Sequence, residues 1–330
     1  MRTFTHINAH TVNEACELLG QYRGKARLNA GGTDLLSMLK GDIWPEYPEA
    51  VINVKTIPGL DSITENDNVL KIGALALLSD VAKSPTIKEK CGVLAKAALS
   101  VGSPLIRNVA TIGGNLCQAP RCWYYRYPRR LGGPLPCLRK GTGPCLAVKG
   151  DNRYHAILEG KGCFAVCTSD IAVALAALDA KITIAGPKGE RSISVVDFFQ
   201  PLGNTLKIDE MIKDFQIPAT MLSMEQRFLK FTLRKPIDFA IVSVAASIGL
   251  NNGVCTDARI ILGAVAPMPF RAKAAEEKIV GQPISDNVAA EAAEKALANA
   301  KPLSMNAYKV EIAKTLVRRA IKGSTAGLGE

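Results

Sequence analysis

The first part of the chain alternates between two hydrophobic periods, one typical of helices and one typical of strands. From Thr11 onward, apolar residues share one helical face, and Glu14 follows at the spacing of a capping box, which predicts a helix ending near Gly24. Short apolar runs between turn residues predict strands. The predicted strands cover residues 26–30, 51–54 and 70–72, and two further helices begin near Leu35 and cover residues 88–100.

Residues 117–167 interrupt this pattern. They contain five prolines and seven glycines and sustain neither period. We call them the cysteine segment, because six of the nine cysteines fall within it. A loop of this length without its own elements is typical of a functional or a disordered segment, and a bound metal is the usual way to order one.

Regular patterns resume after the cysteine segment. We predict a helix over residues 171–179, a strand over 181–185, and the end of a first domain at 208–218. A second domain begins at 229–232 with a hairpin of residues 239–250 and 258–265 around Asn251-Asn252-Gly253. Helices at 288–300 and 306–321 complete it. The order of the predicted helices and strands, together with the length of 330 residues, predicts two domains, of which the second is α+β.

Composition excludes several classes of protein. Hydrophobic residues make up 48% and charged residues 22% of the chain, which is typical of a globular protein and excludes a disordered or collagenous one. Apolar runs stay well short of the roughly 20 residues that a membrane span needs. The N-terminus lacks an apolar core of the kind signal peptides have. We therefore expect no membrane span, no signal peptide and a cytoplasmic protein.

The net charge of +11 is concentrated in one place. The cysteine segment carries nine Lys and Arg residues against Asp151 and Glu159, a local excess of +7. Two interpretations compete: the segment binds a polyanion such as a nucleic acid, or it surrounds an anionic centre.

The clustered cysteines indicate a metal or redox site rather than a disulfide framework. The chain has only three histidines, which makes a histidine-based metal site improbable. Four cysteines follow the spacing Cys122-x14-Cys137-x7-Cys145-x17-Cys163. Structural zinc sites favour two closely spaced cysteine pairs, and this spacing does not contain them. An iron–sulfur cluster, a zinc ion and unligated thiols remain as alternatives.

Two glycine motifs stand out in the first 120 residues. Gly31-Gly32-Thr33-Asp34 lies between a predicted strand and a predicted helix, and Thr111-Ile112-Gly113-Gly114-Asn115 is a second turn of the same kind. Each is either a structural turn or a cradle of backbone N–H groups for phosphate. Neither is a Rossmann fingerprint or a P-loop. Two such turns suit a dinucleotide better than either does alone.

These motifs resemble a known family. Asn-Ala-Gly-Gly-Thr-Asp-Leu-Leu from Asn29, Arg-Asn-Val-Ala-Thr-Ile-Gly-Gly-Asn-Leu from Arg107, and Ser169-Asp170 are similar to the FAD-binding medium subunits of molybdenum hydroxylases, the relatives of xanthine and carbon monoxide dehydrogenases. The resemblance covers nearly the whole chain. It implies an α+β fold: a two-part FAD-binding domain of the PCMH/VAO type over residues 1–220 (1–55 and 56–220), then a CO dehydrogenase flavoprotein-like C-terminal α+β domain over 225–325.

The resemblance also implies the residues that bind FAD and implies no catalytic residue. The first motif would bind the pyrophosphate, the second the flavin end, and Asp170 the ribityl or ribose hydroxyls. A looser match implies three more contacts. Val101 would contact the adenine side of FAD, Ile212 would pack on the flavin ring, and Lys230 would make a further polar contact. The full cofactor-binding set is Arg27, Leu28, Asn29, Ala30, Gly31, Gly32, Thr33, Asp34, Val101, Thr111, Ile112, Gly113, Gly114, Asn115, Gln118, Ser169, Asp170, Ile212 and Lys230.

The cysteine segment resembles insertions in the flavoprotein subunits of 4-hydroxybenzoyl-CoA reductase and a bacterial aldehyde oxidoreductase, where four cysteines hold a [4Fe–4S] cluster. The resemblance assigns the ligands as Cys122, Cys137, Cys145 and Cys163, and leaves Cys117 and Cys167 beside the flavin as non-ligands. The basic excess would then offset the negative charge of the cluster.

The function implied is that of an FAD and [4Fe–4S] electron-transfer subunit of a heterotrimeric molybdenum hydroxylase, dehydrogenase or reductase. Its expected partners are a large molybdopterin-binding subunit and a small subunit with two [2Fe–2S] clusters, in a possible dimer of heterotrimers, and a ferredoxin or another electron carrier. The alternative is a metal-stabilised basic module that binds nucleic acid. A flavin oxidase acting alone is a third interpretation, but it would need a base near the flavin.

Overall fold

The computed structural model describes residues 1–66, 69–234 and 237–323. The predicted end of the second domain at residue 325 lies outside them. The chain begins with a three-stranded parallel sheet of order β1-β3-β2, in which a helix connects each strand to the next, as parallel pairing requires. Its elements are β1 (Thr5–Asn8), α1 (Val12–Gln21), β2 (Ala26–Asn29), α2 (Leu35–Gly41) and β3 (Ala50–Asn53).

The second part is a five-stranded antiparallel sheet of order β4-β5-β10-β6-β7, covered by short helices. Its strands are β4 (Ile63–Asn66), β5 (Val69–Gly73), β6 (Lys181–Gly186), β7 (Gly189–Ser194) and β10 (Met211–Pro218). The helices are α3 (Leu78–Lys83), α4 (Pro85–Lys90), α5 (Gly92–Leu99), α6 (Pro104–Arg107), α7 (Ile112–Leu116), α8 (Asp170–Ala177) and α9 (Val195–Phe198). Two-residue strands β8 (Phe199–Gln200) and β9 (Gly203–Asn204) form a separate small ladder.

The single helix predicted over residues 88–100 is wrong: two helices, α4 and α5, meet at Cys91. Cys91 leaves the helical backbone, with φ −131° and ψ 49°, while its side chain is fully buried. The hydrophobic pattern continues across this break because both helices bury apolar residues in the same core, so periodicity alone could not reveal it.

The third part is a four-stranded antiparallel sheet of order β11-β12-β13-β14. Its elements are β11 (Glu225–Phe231), β12 (Val242–Asn251), β13 (Val254–Gly263), β14 (Phe270–Arg271), α10 (Lys273–Ile279), α11 (Asp286–Leu297) and α12 (Tyr308–Lys322). The predicted hairpin is confirmed, and Asn252 and Gly253 both have positive φ, as a two-residue turn of this type requires.

Helix α8 joins the second and third parts. All eight of its residues are buried, because it packs against α5 on one side and against β12 and β13 on the other. The sheet shows the alternation this requires: Ala245 and Ile261 share the core of α8, whereas Val244 and Leu262 face helices α10 to α12.

The cysteine segment contains no strand and no helix longer than a three-residue 3-10 turn, in agreement with its lack of a hydrophobic period. Those turns are Arg129–Leu131, Leu138–Lys140 and Leu146–Val148. Backbone hydrogen bonds attach its second half to the C-terminal part: the N–H groups of Ile157 and Leu158 donate to the Val265 carbonyl at 2.9 and 3.0 Å. No helix in the described ranges is both long and apolar enough to cross a membrane.

Candidate functional site

A cavity of about 910 Å³ lies where the N-terminal sheet, α7, the start of α8 and β11 meet. Its volume falls in the upper part of the range of roughly 300–1,000 Å³ that is common for ligand sites. Every predicted cofactor-binding residue except Asn29 and Ile112 lines it. Ile112 is fully buried in the core, and Asn29 instead holds its side-chain oxygen beneath Gly32, so these two predictions do not coincide with the cavity.

The first glycine motif is shaped by two separate requirements. A Cβ on Gly31 would collide with the carbonyl oxygen of Val109. The glycine therefore lets the first motif contact the backbone that directly precedes the second glycine motif. Gly32 has φ +69°, which favours glycine because other residues are strained there. The structure therefore gives both glycines a backbone role, and it places both on the cavity wall.

The second glycine motif is the first turn of a helix rather than a free turn. Thr111 caps α7, and its hydroxyl accepts a hydrogen bond from the Gly114 N–H at 3.2 Å. A Cβ on Gly113 would lie 2.8 Å from the carbonyl oxygen of Ala74, so glycine allows α7 to press against the chain after β5.

A chain of polar contacts runs around the cavity and connects the predicted motifs. Asp34 binds the Arg121 guanidinium, which also donates to the Gln118 side chain at 3.1 Å. Gln118 donates to the Asn115 carbonyl at 2.9 Å, and the Asn115 side chain accepts from the Ser169 hydroxyl at 2.6 Å. Motifs separated by more than 130 residues in sequence thus form one wall.

Asp170 and Lys230 form a buried ion pair on that wall. Their charged atoms are 2.7 Å apart and their side chains are 6% and 9% exposed. Lys230 also donates to the Ser100 carbonyl at 2.9 Å. Asp170 stands at the start of α8, where a negative charge is favourable. Lys230, which the looser match assigned to the cofactor site, thus lies directly beside Asp170.

A second, small cavity is lined by all four cysteines predicted to bind a cluster, Cys122, Cys137, Cys145 and Cys163. Cys117 and Cys167 line the large cavity instead. Within the described residues, no three His, Cys, Asp or Glu side chains form a group able to hold a metal ion.

Two residues, Tyr125 and Arg139, line both cavities and so form the wall between them. Sequence reasoning missed this role of Arg139, and it missed Trp44 and Phe239 on the large cavity. The arginines that stack on these aromatic rings, Arg27 on Trp44 and Arg121 on Phe239, are distant in sequence, so no local signal connects them.

His155 is the histidine of the cysteine segment, and its Nε2 lies 3.3 Å from the Cys122 sulfur. Burial, aided by the charge of Lys309, lowers the pKa of His155 to about 4. The imidazole is therefore neutral at pH 7, and its edge meets the ring of Trp123 with 5.4 Å between centroids.

The basic residues of the cysteine segment do not all surround one anionic centre, which differs from the expectation that their excess offsets the charge of a cluster. Arg121 and Arg126 both bind Asp34, and Arg129 binds Asp42, so three of these arginines pair with two acids of the N-terminal part. Lys140 remains near the small cavity, and its ammonium lies 5.0 Å from the centre of the Tyr125 ring.

Comparison with known families agrees with this geometry. Residues 2–220 match the family model of the FAD binding domain in molybdopterin dehydrogenase, and residues 227–324 match the CO dehydrogenase flavoprotein C-terminal domain. The chain belongs to this FAD-binding family. It is an FAD-binding oxidoreductase subunit of the molybdenum hydroxylases, and the nucleic-acid alternative is not favoured.

Individual relatives match over nearly their full length. The chain is 35% identical to the aldehyde oxidoreductase FAD-binding subunit PaoB of Escherichia coli K12, over 95% of this chain and 96% of the relative. It is 27% identical to the carbon monoxide dehydrogenase medium chain of Hydrogenophaga pseudoflava, over 98% and 97%. A solved structure of carbon monoxide dehydrogenase from the same organism superimposes with a TM-score of 0.78 at 26% identity, covering 99% of both chains. The expected α+β fold is therefore confirmed.

Proposed function

We propose that this subunit carries FAD in the large cavity and a [4Fe–4S] cluster on Cys122, Cys137, Cys145 and Cys163, and that it passes electrons between them. The observation that carries the proposal is the shared wall: Tyr125 and Arg139 border both cavities. Two cofactors in these positions would be separated by little more than one layer of side chains.

The residues of the large cavity suit FAD. The close approach at Gly31 and the turn at Gly32 leave backbone N–H groups near the start of α2, where phosphate oxygens bind well. Asn115, Ser169 and Asp170 supply further polar groups on the cavity wall for hydroxyls or a ring edge. When bound, FAD accepts and donates electrons; the chain's own residues bind, orient and shield it.

The donor set of the small cavity suits a cluster better than a single ion. Four thiols line it, and each thiolate of a cubane binds a different iron, so the sulfur atoms need not converge as closely as around one zinc. Two buried nitrogen atoms of cationic side chains nearby, Arg139 Nε and Lys140 Nζ, have no hydrogen-bond partner among the described residues, and an anionic group would offset their charge. The cavity has only about 10 Å³ of free space, so cluster binding requires the residues that line it to move apart.

We further propose that the subunit works in a heterotrimer, with a large molybdopterin-binding subunit and a small subunit that holds two [2Fe–2S] clusters, arranged as a dimer of heterotrimers. A ferredoxin or another carrier would exchange electrons with it. The relatives named as FAD-binding subunit and medium chain support this role. The domain boundary is proposed between residues 220 and 225. Co-purification of the tagged subunit with its partners tests the assembly.

The ligand assignment makes a direct prediction. Replacing any one of Cys122, Cys137, Cys145 or Cys163 by Ser should lower iron from about four atoms per chain to nearly none, because the cluster needs four thiolates. Cys117→Ser and Cys167→Ser are the matched controls and should retain iron. Iron and acid-labile sulfide are measured per chain, with the flavin absorbance recorded beside them. Loss of iron in Cys167→Ser but not in Cys163→Ser would contradict the assignment.

The electron-transfer role needs its own test. In the assembled complex, rapid-freeze EPR with organic substrate, and separately with reduced ferredoxin, should detect a reduced cluster during turnover. A cluster signal that stays unchanged under both conditions while the flavin cycles at full rate would make the cluster structural, because ordering a long loop is the other role that a bound cluster can have.

A further inference from the structure

We infer that Asp34 is a positioning residue that locks the start of the cysteine segment onto the loop bordering the large cavity, so that FAD binding and order in the segment are coupled. The inference deepens the proposed function and rests on it in one respect, that FAD fills the large cavity. It does not depend on the identity of the metal.

Asp34 belongs to the first glycine motif, but its carboxylate is bound by the cysteine segment. One oxygen accepts from the Ala119 N–H at 2.8 Å, and the other binds Arg121 and, at 2.6 Å, Arg126. The carboxylate side chain is only 18% exposed, and that of Arg126 only 16%. Charge-assisted bonds of this kind are stronger than neutral ones, and partial burial reduces their screening.

The position of Asp34 at the start of α2 makes this arrangement informative. Aspartate at a helix N-cap ordinarily accepts from the helix's own N–H groups, yet Asp34 makes no such bond. The Asp34 side chain instead accepts hydrogen bonds from residues of the cysteine segment, which lie between 85 and 92 positions later in the sequence. Local helix capping is thus replaced by a long-range contact.

The contacts of the two arginines extend the lock in both directions. Arg126 also donates to the carbonyls of Pro120 and Ala119, at 2.6 and 2.9 Å, which fixes the backbone just before Cys122. Arg121 precedes Cys122 directly and reaches Gln118 on the cavity wall. Movement of the first glycine loop therefore moves the backbone that presents the first proposed cluster ligand.

Asp42 offers a matched control on the same part of the molecule. It pairs with Arg129 of the cysteine segment at 2.9 Å and has a side-chain exposure of 17%, but it does not line the large cavity. An acid–arginine pair between the same two regions is thus available without contact to the site.

Hydrogen exchange of the full chain with and without FAD tests the coupling. In the wild type and in Asp42→Asn, FAD should slow amide exchange in residues 117–126 by about tenfold, a typical coupling between two sites. In Asp34→Asn this protection should be largely lost. Because coupling is reciprocal, Asp34→Asn should also weaken FAD binding by about the same factor. Arg126→Gln approaches the contact from the segment side and should reproduce the result if Asp34→Asn does not fold.

Two outcomes overturn the inference. Exchange in the segment that does not respond to FAD in the wild type, although FAD binds, would show that no coupling exists. Equal loss of protection in Asp34→Asn and Asp42→Asn would show that the coupling is a general effect of ion pairs between the two regions and not a property of Asp34. A chain that binds no FAD would contradict the proposed function itself, and a chain that binds FAD but no iron would contradict only its cluster.

Discussion

The two cavities lie side by side but are built in different ways. The large cavity is bordered by the ends of regular elements, namely β2, α2, α7, α8 and β11, whose positions the sheets determine. The small cavity is bordered by irregular backbone of the cysteine segment. Few backbone hydrogen bonds within the segment stabilise this backbone. The sheets therefore determine the shape of the first site, whereas the second site depends on contacts made from outside it.

The outside contacts on the small cavity come from both ends of the chain. Asp34 holds the start of the segment, and the beginning of α12 holds its second half. Asn306 donates to the carbonyls of His155 and Ala156 at 3.1 and 3.2 Å, and Lys309 donates to the His155 carbonyl at 3.0 Å. The residue whose ring touches Cys122 is therefore positioned by the C-terminal part.

The largest effect is expected from breaking the buried ion pair of the large cavity. Asp170→Asn leaves the Lys230 ammonium buried without a counter-charge, which should lower the free energy of unfolding by about 3–5 kcal/mol and reduce bound FAD. Denaturant unfolding and flavin content per chain measure both. Glu49→Gln removes the exposed pair with Lys25 and is the control, with little expected loss of stability because solvent screens the pair. Equal effects of the two variants would contradict the conclusion that the buried Asp170–Lys230 pair stabilises the wall of the large cavity.

A smaller effect is expected where the two glycine motifs touch. Gly31→Ala forces its new methyl group against the Val109 carbonyl, which should cost about 1–3 kcal/mol of stability and lower FAD occupancy while iron is retained. Gly92→Ala, where a Cβ meets nothing within 4 Å, is the matched control. Thermal unfolding and the flavin absorbance test this, and full FAD occupancy in Gly31→Ala would show that the close approach does not shape the site.

A third effect concerns the attachment of the cysteine segment and depends on pH. Burial lowers the pKa of Lys309 to about 7, whereas in the unfolded chain this lysine keeps its proton to a much higher pH. Between about pH 7 and 10 the unfolded state binds more protons, so stability should rise with pH, by at most about 1.4 kcal/mol per unit.

Comparing Lys309→Met with the wild type isolates this effect from the other groups that titrate in the same range. The difference between the two unfolding free energies should change across that pH window in favour of the wild type. Curves that stay parallel would mean that Lys309 remains charged in the folded protein, held by the three carbonyls to which it donates, those of Tyr154, His155 and Ala264.

Sequence reasoning predicted the elements of the large cavity better than its contacts. Local signals identified both glycine motifs, the Thr11 cap and the 251–253 turn, because each depends on neighbouring residues. The break at Cys91 and the binding of Asp34 by Arg121 and Arg126 depend on residues that meet only after folding. The charge count located the basic excess correctly, but it could not reveal that three of the arginines pair with acids of the N-terminal part.

Helix α8 has a consequence for how the chain unfolds. Since every face of this helix is buried, between α5 and the third sheet, separating the regions matched by the two family models would expose its apolar surface on one side. The β13 strand even keeps a glycine, Gly263, where a Cβ would lie 2.6 Å from the Val173 side chain. Two regions that match separate family models are therefore expected to unfold as one cooperative unit, and a chain cut at their boundary should lose the core that both of them share.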